Sequence, residues 1–511
     1  MNKKKVLLAL IFQFLFFAKM FSQTNHFMIG WYDYSTISTS DNTMAKQFKD
    51  MQTHNINCAI VVDWRLIRLT TNSWADPQNF QWASSNPSKA FLDSAYKYGI
   101  KVILSTPENS VIRVKPPSGA WYIHSSNSIE RQQGLAYWGN HPALLGFHIM
   151  DEPLTYDDLS YIPPHANDIK VFNSNLIRWV NFPFACPNTL NHANYGQFIQ
   201  DYINMAQPNI LSFDYYPIMD NPYINTIWGN ALFYHLDTFA RKSVTNNIPF
   251  VYVLSSLRCN PPPSGGCVYE PLPNLVNATS YCMYAGLFYG AKGFVHWNSS
   301  RYVNDYRFST EYREFVKTIH KKILDNETVL LSLSFRSAYH KTFKSTIGPG
   351  NDSIPSYSAW SYFSRDVYAK TIFNVSNPLI AMSGSTIDSL AVSFLTDNNG
   401  GLYFWVFNKS LVASEDIKLN LNNGGVVDVL DANQCLSTDA VIHLEPAEAK
   451  LFKFRANQTV SGVINTNTTI KGHRVILDVK VQNGAKLTIE ACETEFTDGF
   501  EIESGAEFEI K

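Results

Sequence analysis

Charge is scarce in this chain. Lys, Arg, Asp and Glu make up 16% of the 511 residues, and 41 basic against 43 acidic side chains leave a formal charge of −2. So even a balance offers no electrostatic footprint for a nucleic acid or another polyanion. Metal-ligating patterns are missing too: there is no C-x-x-C, no Cys/His set at zinc spacing, no H-x-H and no H-E-x-x-H. Neither a metal nor a cofactor is therefore expected. No G-x-S-x-G elbow points to a serine hydrolase, and no Gly-rich loop follows the first strand-like segment to cradle a phosphate.

Long apolar runs are absent except at the start. Lys3, Lys4 and Lys5 precede an apolar stretch over 6–17 that is shorter than a membrane span, and Ser22 is a small residue suited to a cleavage site. This is the pattern of a secretory signal peptide over 1–22, with Gln23 as the mature start. No later run approaches 18 apolar residues, so no membrane span is expected and the protein is expected outside the cytoplasm, secreted or at the cell surface. Of seven cysteines, Cys259 and Cys267 flank the stiff loop NPPPSGG, which a disulfide could close. Cys58, Cys186 and Cys282 sit in apolar surroundings and read as buried thiols.

Aromatic residues, by contrast, are plentiful at 14%, with 11 Trp and 27 Tyr. From 23 to 327, strand-like segments (26–34, 56–65, 100–107, 142–152, 182–190, 208–217, 248–256 and 291–298) alternate with helix-like ones. Eight such pairs in about 300 residues match a (β/α)8 TIM barrel of the α/β class. Over 328–456, short alternating apolar runs separated by Asn/Gly clusters predict an antiparallel β-sandwich. Over 457–511 the tail predicts a small β-rich module. There VQNGAKLTI at 481–489 is echoed by IESGAEFEI at 502–510, a 21-residue step that fits a miniature solenoid or a pair of hairpins.

The centre of the barrel region is PALLGFHIMDEP, 142–153. Its apolar half reads as a strand buried on both faces, and Pro153 stops it. Asp151 and Glu152 then stand at the carboxyl end of that strand, the face where barrel active sites lie. Strict alternation would put His148, Met150 and Glu152 on one face and Phe147, Ile149 and Asp151 on the other. Other strand ends contribute Trp31, Tyr32, Asp33, Asp63, Glu108, Asn188, Asp214, Tyr215, Tyr216, Trp297 and Asn298. Carboxylates, amides and aromatic faces without a basic cluster suit a neutral polyhydroxylated ligand, so an oligo- or polysaccharide is the expected partner. Glu152 is the candidate proton donor, because glycoside cleavage needs one carboxyl protonated near neutral pH and a second acting as nucleophile or base.

GFHIMDEP resembles the fourth-strand motif of the clan A (β/α)8 glycoside hydrolases, in which Asn-Glu-Pro is usual and the Glu is the acid/base. LSFDYYP at 211–217 and GAKGFVHWN at 290–298 resemble sixth- and eighth-strand segments of secreted bacterial glycosidase-like barrels. The resemblance implies a secreted glycoside hydrolase with Glu152 as acid/base and Asp151 in place of the usual Asn. The departure falls on the seventh strand, where Ser255 and Ser256 stand in place of the nucleophilic Glu. Asp214 and Glu270 are the two contenders for the second carboxylate, an inverting Glu152/Asp214 pair being preferred. A barrel that binds glycan without cleaving it is the alternative. The tail resembles β-rich C-terminal modules of secreted Bacteroidetes proteins, which implies a part in surface attachment or secretion.

Overall fold

The computed structural model describes residues 26–33, 41–61, 87–105, 113–114, 122–123, 132, 135–136, 138–183, 192–216, 227–254, 258–259, 267–268, 275–297, 310–340, 379–383, 390–421, 424–431, 434–436 and 440–511. They fall into two compact units, divided between Leu331 and Ser332.

In the first unit, eight parallel strands close on themselves. They are β1 (Met28–Asp33), β2 (Cys58–Val61), β3 (Lys101–Ser105), β4 (Leu144–Asp151), β5 (Ile177–Phe182), β6 (Leu211–Asp214), β7 (Phe250–Leu254) and β8 (Gly293–Trp297). Each pairs with its sequence neighbours, and β1 pairs with β8 to complete the barrel. The helices are α1 (Asp41–Thr53), α2 (Pro87–Lys97), α3 (Tyr156–Ser160), α4 (Ile162–Phe172), α5 (His192–Ala206), α6 (Ile227–Asn246), α7 (Leu275–Phe288), α8 (Thr310–Asp325) and α9 (Glu327–Ser332). Strands β2, β5, β6 and β7 are buried along their whole length, as a parallel sheet faced by helices outside and packed side chains inside requires. Met28, Tyr32, Ile60, Ile103, Trp179, Val251, Val253 and Val295 belong to one core cluster contributed by many strands. At Gly146 on β4, a Cβ would collide with the backbone of Ile177, so only glycine lets β4 and β5 approach so closely.

The fifth strand lies earlier than the 182–190 expected from sequence. The Pro163-Pro164 pair sits in the first turn of α4, where the missing N–H costs nothing. That helix ends at Phe172, so IRWVNF, all six residues buried, becomes β5. Asn181 takes the strand-end place expected of Asn188, which lies outside the described residues. Alternation along β4 also fails at one point. Its pairing with β5 slips between His148 and Met150, and this bulge turns His148 and Asp151 to the same side.

Among its described residues the second unit has three sheets. β9 (Ser334–His340), β11 (Leu390–Thr396), β12 (Leu402–Asn408), β17 (Ala449–Ala456), β14 (Gly424–Asp428) and β15 (Gln434–Leu436) form an antiparallel six-stranded sheet, and β10 (Leu379–Ser383), β13 (Glu415–Leu421) and β16 (Val441–Leu444) a three-stranded one. Val392, Phe404, Phe452, Ile417 and Ile442 from the two sheets share one core. The tail strands β18 (Gln458–Ile464), β19 (Thr468–Val481), β20 (Lys486–Phe496), β21 (Glu501–Ile502) and β22 (Glu507–Ile510) pair in parallel. Leu487 stands beside Phe508 and Ile489 beside Ile510, the same 21-residue step as the sequence echo. Parallel stacking makes this a solenoid and removes the hairpin alternative. Lys471–Glu490, Arg474–Glu495, Lys480–Glu501 and Lys486–Glu507 tie successive rungs on the outside.

Cys259 and Cys267 stand opposite one another in a short antiparallel ladder, Arg258–Cys259 with Cys267–Val268, while their side chains lie outside the described residues. Cys58 and Cys282 are buried free thiols, pushed up to about 12 by burial, and Cys186 lies outside the described residues. A disulfide the sequence did not suggest joins Cys435 on β15 to Cys492 on β20, 57 residues apart. By the chain-entropy model a loop of that length is worth about 4 kcal/mol. Cys492→Ser in the full-length protein should lower the melting temperature of the second unit while leaving that of the barrel in place. Scanning calorimetry resolves the two transitions, and an unmoved transition of the second unit would show the bond to be structurally idle.

Candidate active site

Three carboxyl groups meet at the carboxyl end of the barrel. Asp151 closes β4, Glu152 follows it, and Asp214 closes β6. The chain holds Glu152 firmly. Its N–H donates to the Asn181 carbonyl at 2.8 Å, and φ of +49° places it in the left-handed region that non-glycine residues rarely enter. Immediately downstream, Asp158 accepts from the backbone N–H of Leu154 and Thr155, both at 2.8 Å, while the Thr155 hydroxyl caps the Asp158 N–H in return. The turn carrying Glu152 is thus clamped by β5 on one side and a capped helix on the other.

Asp214 is 4% exposed. Tyr216 Oη donates to its Oδ2 at 2.8 Å. Burial, then the charges of Glu152 and Asp151, hold the Asp214 pKa well above the usual carboxylate range. Glu152 is exposed at the mouth, yet the protein packed round it raises its own pKa, with the neighbouring Asp214 carboxyl pulling the other way. Of the two, Asp214 is the one whose surroundings favour the protonated form more strongly.

Asp151 is half-buried, and its Oδ1 accepts from Tyr32 Oη at 2.8 Å and Asn181 Nδ2 at 3.2 Å. Burial first, and the Glu152 charge second, raise it to about 7, against the lowering effect of those two donors. His148 Nε2 lies 3.1 Å from the same Tyr32 hydroxyl, and burial drives its pKa down to about 3, so it is neutral. Tyr216 and Trp297, both half-buried, stack with ring centroids 5.2 Å apart.

The remaining sequence candidates separate. Tyr32 and His148 lie beneath the mouth, 1% and 2% exposed, Tyr32 bonded to Asp151 and His148 to Tyr32. Trp31 faces the other way, lining a small apolar cavity with Phe48, Met51 and Phe91 of α1 and α2, because Tyr32 next to it points inward. Tyr215 is likewise turned outward, stacked on His235 of α6 at 5.4 Å. Asp63, Glu108, Asn188, Glu270 and Asn298, and the Asp33 side chain, lie outside the described residues. Asn181 was missed with the fifth strand. Its signal was the largely apolar run LIRWV, broken by one arginine, ending in an amide. No group of three or more His, Cys, Asp or Glu able to hold a metal occurs among the described residues.

The raised Asp151 pKa makes stability fall as pH rises. Between the unfolded value, about 4, and the folded value, about 7, the native state binds a proton the unfolded chain has released, so deprotonation favours unfolding. Asp151→Asn should accordingly raise the melting temperature at pH 8 and change it little at pH 4. The opposite ordering would mean that the carboxylate is stabilised in place.

No protein-family model matches the sequence, and no curated relative does. Solved structures with a loosely similar fold include a GH27 β-L-arabinopyranosidase from Geobacillus stearothermophilus, 10% identical over 85% of this chain and 98% of that one, TM-score 0.45. An endo-β-1,4-mannanase from Thermotoga petrophila is 11% identical over 76% and 96%, TM-score 0.43. An endo-1,4-β-mannanase from Rhizomucor miehei is 12% identical over 58% and 95%, TM-score 0.39. All three are glycoside hydrolases, and the eight-stranded closed barrel of this chain stands on its own strand ladder.

Proposed function

We propose that this chain is a glycoside hydrolase acting on an oligo- or polysaccharide by carboxyl acid/base chemistry at Asp151, Glu152 and Asp214. What supports the reading is the meeting of three carboxyl groups at the strand ends, Asp214 buried with Tyr216 Oη donating to it, and all three raised by burial above the usual carboxylate range. Glycosidic cleavage needs an acid that keeps its proton at neutral pH and a carboxylate that faces the oxocarbenium-like centre. Glu152 reaches the mouth and hands a proton to the leaving oxygen. Asp151, charged above about pH 7, is the carboxylate opposite the developing positive charge. The stacked Tyr216 and Trp297 offer an aromatic edge to the C–H face of a sugar.

A second reading, a barrel that binds glycan without cleaving it, is favoured by the seventh strand, which ends at Leu254 with Ser255 and Ser256 following in place of an acid. Screening wild type and Glu152→Gln on a panel of defined oligosaccharides separates the two. The hydrolase reading expects cleavage by wild type and a loss of about 10²–10⁴-fold in kcat for Glu152→Gln with binding retained. Binding without cleavage by either protein selects the second reading.

We further propose export, on the basic and apolar segments of 1–22, with the solenoid serving surface attachment. Expression in a secreting bacterial host should yield a mature protein whose N-terminal sequence begins at Gln23, and retention of Met1 on cytoplasmic protein would contradict it.

A further inference from the structure

Tyr32 comes from β1 and Asp151 from β4, on strands separated by β2 and β3 in the barrel ladder. Their side chains nevertheless meet in the barrel interior, with the imidazole of His148 behind them. The bulge in β4 is what makes this possible, since it brings His148 and Asp151 to the same phenol. Proton counting fixes the direction of the chain. An ionised carboxylate can only accept, so the single Tyr32 O–H must go to Asp151 Oδ1. The phenol oxygen is then an acceptor, and neutral His148 must donate to it from Nε2–H. Asn181 adds a second donor to the same Oδ1. Among the described residues no donor reaches Oδ2, so both supporting bonds fall on one oxygen.

We propose that Tyr32, backed by His148, is a positioning residue for Asp151, fixing which carboxylate oxygen works and keeping that group ionised in a site crowded with acids. The inference rests on the hydrolase reading only for what Asp151 then does to substrate. Tyr32 and His148 are too deeply buried for water to replace the lost bond, so removing the hydroxyl exposes the carboxylate to the full effect of burial and of Glu152. The ring edge of Tyr32 also packs on His148 with centroids 5.9 Å apart, a contact that a phenylalanine keeps.

The test is a pH titration of the full-length protein by infrared difference spectroscopy, with Asp151→Asn used to assign the protonated Asp151 carbonyl band. In Tyr32→Phe that band should persist to higher pH, by about one unit, because a donor to the charged form is gone. His148→Phe should move it the same way by less, and it carries the test if Tyr32→Phe does not fold. Tyr195→Phe is the control. It removes another buried hydroxyl, one that donates to the Pro183 carbonyl at 2.7 Å, and should leave the Asp151 band in place. An unmoved band in both Tyr32→Phe and His148→Phe, or an equal shift in Tyr195→Phe, overturns the proposal. With a cleaved substrate in hand, the Asp151-dependent limb of kcat/KM should follow the band while KM holds steady. Failure to find any such substrate counts against the hydrolase reading alone and leaves the titration to decide this one.

Discussion

Placing three carboxyl groups at one rim of a protein core is unfavourable unless protons are shared among them, and most of the first unit makes sense as a solution to that constraint. Like charges in a poorly solvated site cannot all be ionised together. Burial and the charges of two neighbouring acids raise the Asp214 pKa well above the usual carboxylate range, so protonation there removes one of the charges. The third group, Asp151, is handled differently, with a phenol and an amide donating to one of its oxygens. One acid raised strongly enough to favour its protonated form and one that ionises near pH 7, at the same rim, is the pairing from which acid/base chemistry at a polar bond is built.

The scaffold contributes rigidity at the points where the cluster would otherwise relax. Glu152 is held at a positive φ between the Asn181 carbonyl and the capped start of α3, and strain of this kind persists only where the surroundings over-determine it. The β4 bulge aligns His148 and Asp151 on Tyr32, and the Gly146 contact with Ile177 lets β5 come close enough for Asn181 to serve both Asp151 and Glu152. Tyr216, bonded to Asp214 and stacked on Trp297, joins the acidic centre to the aromatic wall.

Much of this was legible in the sequence, and the failures have identifiable causes. Glu152 and Asp214 could be found because each follows a short, largely apolar run that reads as a buried strand. The barrel could be found because those runs recur eight times. Asn181 could not, because Arg178 interrupts the apolar run of the true fifth strand and the expected one, 182–190, begins just beyond it. The partnership of Tyr32, His148 and Asp151 was hidden by the bulge, which breaks the period on which any face assignment depends. Trp31 and Tyr215 look like sugar-binding aromatics only until their inward-facing neighbours fix the parity. The Cys435–Cys492 bond was invisible because its two strands belong to different sheets and 57 residues separate them. The solenoid was easier, since its 21-residue echo is itself the register of the ladder.

The Asp214 proton is the claim on which the functional reading stands, and neutron diffraction from perdeuterated crystals near neutral pD observes it directly. The account requires a deuteron on Asp214, with Asp151 Oδ1 receiving the Tyr32 deuteron. Bare carboxylates at both Asp214 and Glu152, held apart by a cation or by water, would contradict it.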